Sequence, residues 1–192
     1  MKQFFVDIWN FLLRNFRLAF RMLRKPAAAW TVVASLEERQ VAQFFYLFVG
    51  ITAFLKFVGF WIFDGSFSLA LLAAFFRFFS LMITWWISLR FLPWLAQRFF
   101  RVDTEKQTIA MLVAFGLLPV FLVYWALAFT SVEFLYLLAV CNYFIVLSGI
   151  DHLLEVDKKM RGRLIVSLTL WLVVLPPLVD HLLRLLVPNA AI

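Results

Sequence analysis

The stretch FSLALLAAFFRFFSLMITWWISL, residues 67–89, carries a single charged side chain, Arg77. At about 1.5 Å per residue a helix of that length covers about 34 Å, enough to cross a hydrocarbon core of about 30 Å. Apolar residues surround it on every side, so the reading is a membrane-spanning helix and not an amphipathic helix of a soluble core. Four more stretches qualify: Val41 to Phe63, Thr108 to Phe129, Val132 to Ile150 and Leu164 to Val187. Hydrophobic residues make up 65% of the 192-residue chain, against about 45–50% in soluble domains. The fold expected is all-α: a polytopic membrane protein with an N-terminal cytoplasmic amphipathic region over residues 1–40 and five transmembrane helices over residues 41–192.

The basic residues give this arrangement a direction, because Lys and Arg accumulate on the cytoplasmic side of short loops. Seven precede the first span: Lys2, Arg14, Arg17, Arg21, Arg24, Lys25 and Arg39. Arg90, Arg98, Arg101 and Lys106 lie between spans two and three, and Lys158, Lys159, Arg161 and Arg163 between spans four and five. The turns around Gly65 and Glu133 have none. The N-terminus is therefore expected inside and the C-terminus outside, in a bacterial cytoplasmic membrane. The net charge of +7 is distributed as this topology requires and accompanies no nucleic-acid recognition motif, so nucleic acid is excluded as a partner. The basic residues that interrupt the N-terminal stretch, with no small-residue cleavage site after an apolar core, argue against a cleaved signal peptide.

Within that N-terminal region Arg14, Arg17, Arg21 and Arg24 recur at spacings of three and four, with Trp9, Leu12, Leu13, Phe16, Phe20 and Leu23 on the other surface. An Arg-rich face opposite Phe and Trp suits a helix lying in the membrane interface on anionic headgroups, contacted by Arg14, Arg17, Arg21, Arg24 and Lys25. Pro26 should end this helix and open a second one running to about Glu38. Pro93 is expected to bend the segment after span two toward the interface. Pro119 and the pair Pro176 and Pro177 should bend spans three and five.

Ionisable groups inside spans are costly and turn toward the bundle interior or a water-filled cavity. Counted from the outer ends, Lys56, Arg77, Asp180 and His181 fall at similar depth, and Tyr124 and Asn142 also lie in the outer half. These six form an expected polar cluster in which Asp180 neutralises Lys56 or Arg77. The small and polar row Ala70, Ala73, Ser80, Thr84 and Ser88 on the same helix as Arg77 reads as a helix-helix interface. Snorkelling of Lys56 and Arg77 to the surface is the competing reading.

Catalytic signatures are missing: no HExxH, no GxSxG and no phosphate-cradling glycine loop. His152 and His181 fall on opposite sides of the membrane, and Asp151, His152 and Glu155 make a weak metal signal. Cys141 reads as a packing residue. No enzymatic activity, metal or cofactor is expected.

The basic amphipathic start, the segment Lys25-Pro26-Ala27-Ala28-Ala29-Trp30 followed by Glu37 and Glu38, and five spans with the N-terminus inside resemble the bacterial branch of the YIP (Ypt-interacting protein) family. Ala110, Ala114 and Pro119, with Tyr136, Tyr143 and Gly149, are similar to that branch's pattern. The Asp-Leu-Tyr-Gly-Pro signature of the eukaryotic members does not occur, so their Rab-GTPase role is not carried over. The resemblance implies an integral membrane protein without known catalysis, acting on membrane organisation or on partner proteins. Three functions follow from the sequence: a non-enzymatic scaffold of lipids and membrane-protein partners, itself included as a homo-oligomer; a lipid or small-solute transporter or scramblase using the polar cluster; and, ranked last, an intramembrane enzyme using Asp180 and His181.

Overall fold

The computed structural model describes residues 2–130 and 138–185, whose regular elements are all helical. Helix α1 (Lys2–Arg24) stops at Lys25, which takes φ −144° and ψ 72°, because a residue preceding proline is disfavoured in helical geometry. Helix α2 (Pro26–Val33) places proline in its first turn, where no backbone donor is lost. It ends before the expected Glu38 because a new helix is capped first: the Gln40 side-chain oxygen accepts the Glu37 backbone N–H at 3.1 Å. Helix α3 (Glu38–Asp64) then starts.

A two-residue turn joins α3 to α4 (Phe67–Phe100): Gly65 takes φ +68°, which glycine tolerates, and Ser66 caps α4 through the Leu69 N–H. Helix α4 runs on through Pro93 to Phe100, where a bend into the interface was expected. Leu92 and Ala96 on these added turns are buried and hold them against the bundle. The span from Thr108 does break near Pro119, into α5 (Lys106–Gly116) and α6 (Leu118–Leu127) with Leu117 between. A short 3-10 turn leads into α7 (Asn142–Leu153), and α8 (Lys158–Leu185) keeps Pro176 and Pro177 inside one continuous helix.

Among the described residues four helical stretches are long and apolar enough to cross a membrane: α3, α4, α5 with α6, and α8. The fourth expected span, Val132 to Ile150, falls partly outside the described residues, as do Tyr136 and the last residues of the fifth. The described part of that fourth span, from Leu138 to Ile150, belongs to a shorter apolar helix, Leu138–Leu153.

The α5–α6 pair is the centre of the bundle. Of its most apolar window 83% is buried, against 33% for α3 and for α4 and 44% for α8, so the other helices wrap it and show their outer sides to lipid. Phe44 stacks on Phe115 at 4.3 Å and Phe48 on Trp125 at 5.6 Å, so α3 and α5–α6 run in the same direction. Phe45 stacks on Trp85 of α4 at 4.2 Å. Helices α4 and α8 run antiparallel: Ser80 donates to the Pro176 carbonyl at 3.0 Å, and the Trp171 indole donates to Ser88 at 2.9 Å. Glycine permits a very close approach of α3 to α6, since a Cβ on Gly59 would come within 1.8 Å of the Ala128 carbonyl oxygen. At the opposite end Arg161 binds Asp151 and ties the start of α8 to α7.

Candidate functional site

The row Ala70, Ala73, Arg77, Ser80, Thr84 and Ser88 is buried along α4. Spacings of three and four put these residues on one stripe, and the hydrogen bonds of Ser80 and Ser88 turn that stripe toward α8. Small side chains let the two backbones approach, and the one long member, Arg77, is carried into the interior with them. It is 7% exposed. From Phe67 at the start of α4, Arg77 lies about 15 Å along the helix, the middle of a hydrocarbon core of about 30 Å.

Asp180 of α8 meets it there. Its carboxylate is 3.5 Å from an Arg77 guanidinium nitrogen and 3.1 Å from one of Arg184, one helical turn further along α8. The Arg77 guanidinium also lies over the Tyr124 ring, 3.8 Å from its centroid, a cation–π contact that strengthens when desolvated. One level is shared by Thr52, whose hydroxyl donates to the Phe48 carbonyl at 2.7 Å and accepts the Trp125 indole N–H at 2.8 Å. The middle of the bundle is therefore polar on α3, α4, α6 and α8 together.

Of the six expected cluster members the structure brings Arg77, Tyr124 and Asp180 together. Lys56 is half-buried, with its ammonium 5.4 Å from the Phe60 ring centroid, and it borders a separate cavity of about 310 Å³ with Gly59 and Thr130. His181 is exposed although Asp180 is buried, because consecutive helical residues point about 100° apart. Asn142 is fully buried at the start of α7, and neither atom of its amide has a hydrogen-bond partner among the described residues. A buried amide left unpaired costs about 1–3 kcal/mol. Asn142→Leu, similar in volume, is expected to raise the stability of the bundle by about that amount, measured by unfolding in mild detergent; a loss of stability would reveal a polar partner for the amide.

Arg184, near the end of the last span, stands apart in the sequence with Lys56 and Arg77 as a basic residue of the outer half but was not placed in the cluster, and Thr52 and Trp125 were not singled out at all. The spacing of four between Asp180 and Arg184 was the signal for the first. The other two lacked one, since a hydroxyl and an indole in an apolar span are compatible with many surroundings.

This centre fixes geometry and holds charge. Arginine does not deprotonate in proteins, so two of the three charged groups cannot relay protons. Breaking such a pair by removing one partner is far costlier than its net stabilisation, because it leaves a buried charge. Away from it, Asp151 is held by Arg161, and the His152 Nδ1 lies 2.8 Å from the Ser148 carbonyl. Among the described residues no three His, Cys, Asp or Glu side chains are grouped to hold a metal.

The second candidate region is α1, which has three faces at about 100° per residue. Asn15, Ala19 and Met22 are buried against the bundle. Trp9, Phe16, Phe20 and Leu23 are exposed apolar side chains, Trp9 and Phe20 by more than three-fifths of their surface, while Leu12 and Leu13 are half-buried. Arg14, Arg17, Arg21 and Arg24 are exposed on a third side, and Lys25 is exposed after them.

The attitude of α1 follows from its neighbours on α3. Arg14, Arg17 and Arg21 border a small cavity with Leu36 and Gln40, while Phe16 packs on Phe48 at 5.6 Å. Gln40 and Phe48 are about 12 Å apart along α3, the diameter of a helix. Helix α1 thus packs on α2 and α6, with its basic side toward the Glu38 end of α3 and its apolar side toward the middle.

Beneath it, α2 is a plug. Trp30 is fully buried, its indole donates to the Ile145 carbonyl at 2.9 Å, and its ring meets Phe115 edge-on at 5.8 Å. Gly149 makes the space, since a Cβ there would come within 2.6 Å of the ring.

Among the described residues the fold is all-helical, with four stretches long and apolar enough to cross a bilayer. No family model, curated protein or solved structure matches the chain.

Proposed function

We propose that this is a non-enzymatic integral membrane protein that organises lipid and partner proteins at the cytoplasmic face of a bacterial inner membrane, in the manner of the bacterial YIP branch it resembles. In this reading it has five spans, the fourth lying between Val132 and Ile150, with the N-terminus inside and the C-terminus outside. The observation that carries the reading is the three-faced α1. A helix that buries one face, shows Trp9 and Phe20 on a second and four arginines on a third matches the interface between a bundle, acyl chains and anionic headgroups. The ion pairs of Asp180 then serve to lock α4 to α8 and give α1 a rigid platform.

Site-specific labelling tests this. In a Cys141→Ser background, an environment-sensitive fluorophore at Phe20→Cys should emit to the blue in phosphatidylglycerol vesicles and be quenched by spin-labelled acyl chains. The same probe at Arg17→Cys should remain open to a water-soluble quencher. Equal water exposure at the two sites would refute the interfacial seat. For orientation, Ser68→Cys should react with an impermeant maleimide added to intact cells, and Ser35→Cys should not.

Transport or scrambling is the second reading, favoured by the cavity beside Lys56 and the break at Pro119. Reconstitution with fluorescent lipids separates the two, since a scaffold leaves the rate of lipid exchange between leaflets at that of empty vesicles.

A further inference from the structure

A groove of about 720 Å³ runs between α6 and α7 and is bordered by the α1–α2 junction. Pro119, Leu122 and Ala126 form one rail, and on the other side the lining extends from Leu138 to Ser148. That is about 15 Å at a helical rise, half the thickness of a hydrocarbon core of about 30 Å and so the depth of one leaflet. The volume lies within the roughly 300–1,000 Å³ of ordinary ligand sites. Among the described lining residues only Cys141 and Ser148 bear a side-chain heteroatom, so the groove suits a hydrocarbon.

The ends differ in charge. Gly149 faces Leu112 and Gly116 faces Val146, so α7 runs antiparallel to α5, and Ser148 marks the groove end nearer the start of α5. Leu23 and Pro26 line the groove from the α1–α2 junction, and between them in the chain stand Arg24 and Lys25, both exposed. His152, one turn beyond Ser148, is exposed at the same end. Among the described residues, Ala126 and Leu138 line the groove away from Ser148, and neither carries a charge. A slot one leaflet deep, apolar along its length and basic at one mouth, is complementary to a lipid whose single negative head sits above its acyl chains.

We infer that this groove holds one anionic glycerophospholipid of the cytoplasmic leaflet, its acyl chain between α6 and α7 and its phosphate at Arg24 and Lys25. The inference rests on the interfacial seat of α1 proposed above and adds a stoichiometric site to it. A lipid held there is shared by the amphipathic helix and the transmembrane core, so lipid composition feeds directly into the packing of α1.

The full chain, purified in mild detergent from a membrane containing phosphatidylglycerol and phosphatidylcholine in equal amounts, is examined by native mass spectrometry. The wild type should retain one phosphatidylglycerol per chain. Cys141→Trp and Ala126→Trp, which fill the groove from opposite sides, should each reduce that occupancy at least tenfold while unfolding at the wild-type temperature. If one of them fails to fold, the other still decides. The pair Arg24→Gln with Lys25→Gln should retain a lipid yet lose the preference for phosphatidylglycerol. Wild-type occupancy in a folded groove-filling variant overturns the proposal, as does an undiminished preference in the charge variant. A wild-type dimer that the tryptophans turn into monomers also overturns it, in favour of a second copy as the occupant. The Phe20 fluorophore reports the seat of α1 independently, so an empty groove beneath an interfacial α1 refutes the groove alone.

Discussion

Asp180→Asn is expected to destabilise the folded bundle by about 3–5 kcal/mol, because it leaves Arg77 charged in the interior with its ion pair removed. The side chain of Arg77 is 8% exposed and that of Arg184 36%, so the two arginines should not share the effect equally. Coulomb energy varies inversely with the product of dielectric constant and distance. Separations of 3.5 Å and 3.1 Å therefore alter it by only about a tenth, whereas burial changes the effective dielectric constant several-fold. Coupling to Arg77 should exceed coupling to Arg184 even though Arg77 is the more distant partner.

A double-mutant cycle measures this directly. Asp180→Asn should cost less by about 1–3 kcal/mol when Arg77→Met is already present, and by a few tenths when Arg184→Gln is, a value usual for exposed pairs. Unfolding in mixed micelles gives all the required free energies. Equal coupling to both arginines would mean that the carboxylate is as wet on its Arg77 side as on its Arg184 side. Additive effects throughout would mean that the contacts contribute nothing as pairs.

What the sequence disclosed of this centre was limited by what one-dimensional depth can say. Counting residues from the ends of spans puts Lys56 near the layer of Arg77 and Asp180, but depth carries no azimuth. Lys56 borders a different cavity, and His181 turns outward from its neighbour. Azimuth was legible only where a row of small residues gave it, and that row runs through Arg77. The helical architecture was legible because apolar length and helical period are written in the chain. Local competition was harder to read. Pro93 was expected to bend α4 and does not end it, because buried Leu92 and Ala96 hold the chain to the bundle on both sides of it. Pro119 does interrupt its span, beside Gly116, whose own propensity for helix is low. Asn15, Ala19 and Met22 of α1 went unnoticed because two exposed faces, one aromatic and one basic, dominate its pattern.

The segment Lys25-Pro26-Ala27-Ala28-Ala29-Trp30 was noticed as a resemblance, and its physical content is the docking of α2. Trp30→Ala should cost about 3–5 kcal/mol, the range for emptying a fully buried large aromatic site, because α7 cannot collapse onto the space while Leu112 and Phe115 hold its shape. Trp30→Phe keeps much of the ring packing and removes the donor to Ile145, so it should cost about 1–2 kcal/mol. The Ile145 carbonyl lies within α7 and remains in reach of its own helix, which keeps that loss at the lower end. Gly149→Ala attacks the same contact from the other side, since its Cβ must displace the indole or Leu112. Undocking α2 removes the surface on which α1 packs and lets the backbone around Arg21 and Arg24, whose side chains are already exposed, unwind into the extended form that a protease cleaves. Trypsin should therefore cut Trp30→Ala between Arg21 and Lys25 much faster than the wild type, while the α3–α4 turn, which has no basic residue, is untouched. Unchanged cleavage with a lowered unfolding temperature would show that α1 is held by Asn15, Ala19 and Met22 independently of the plug.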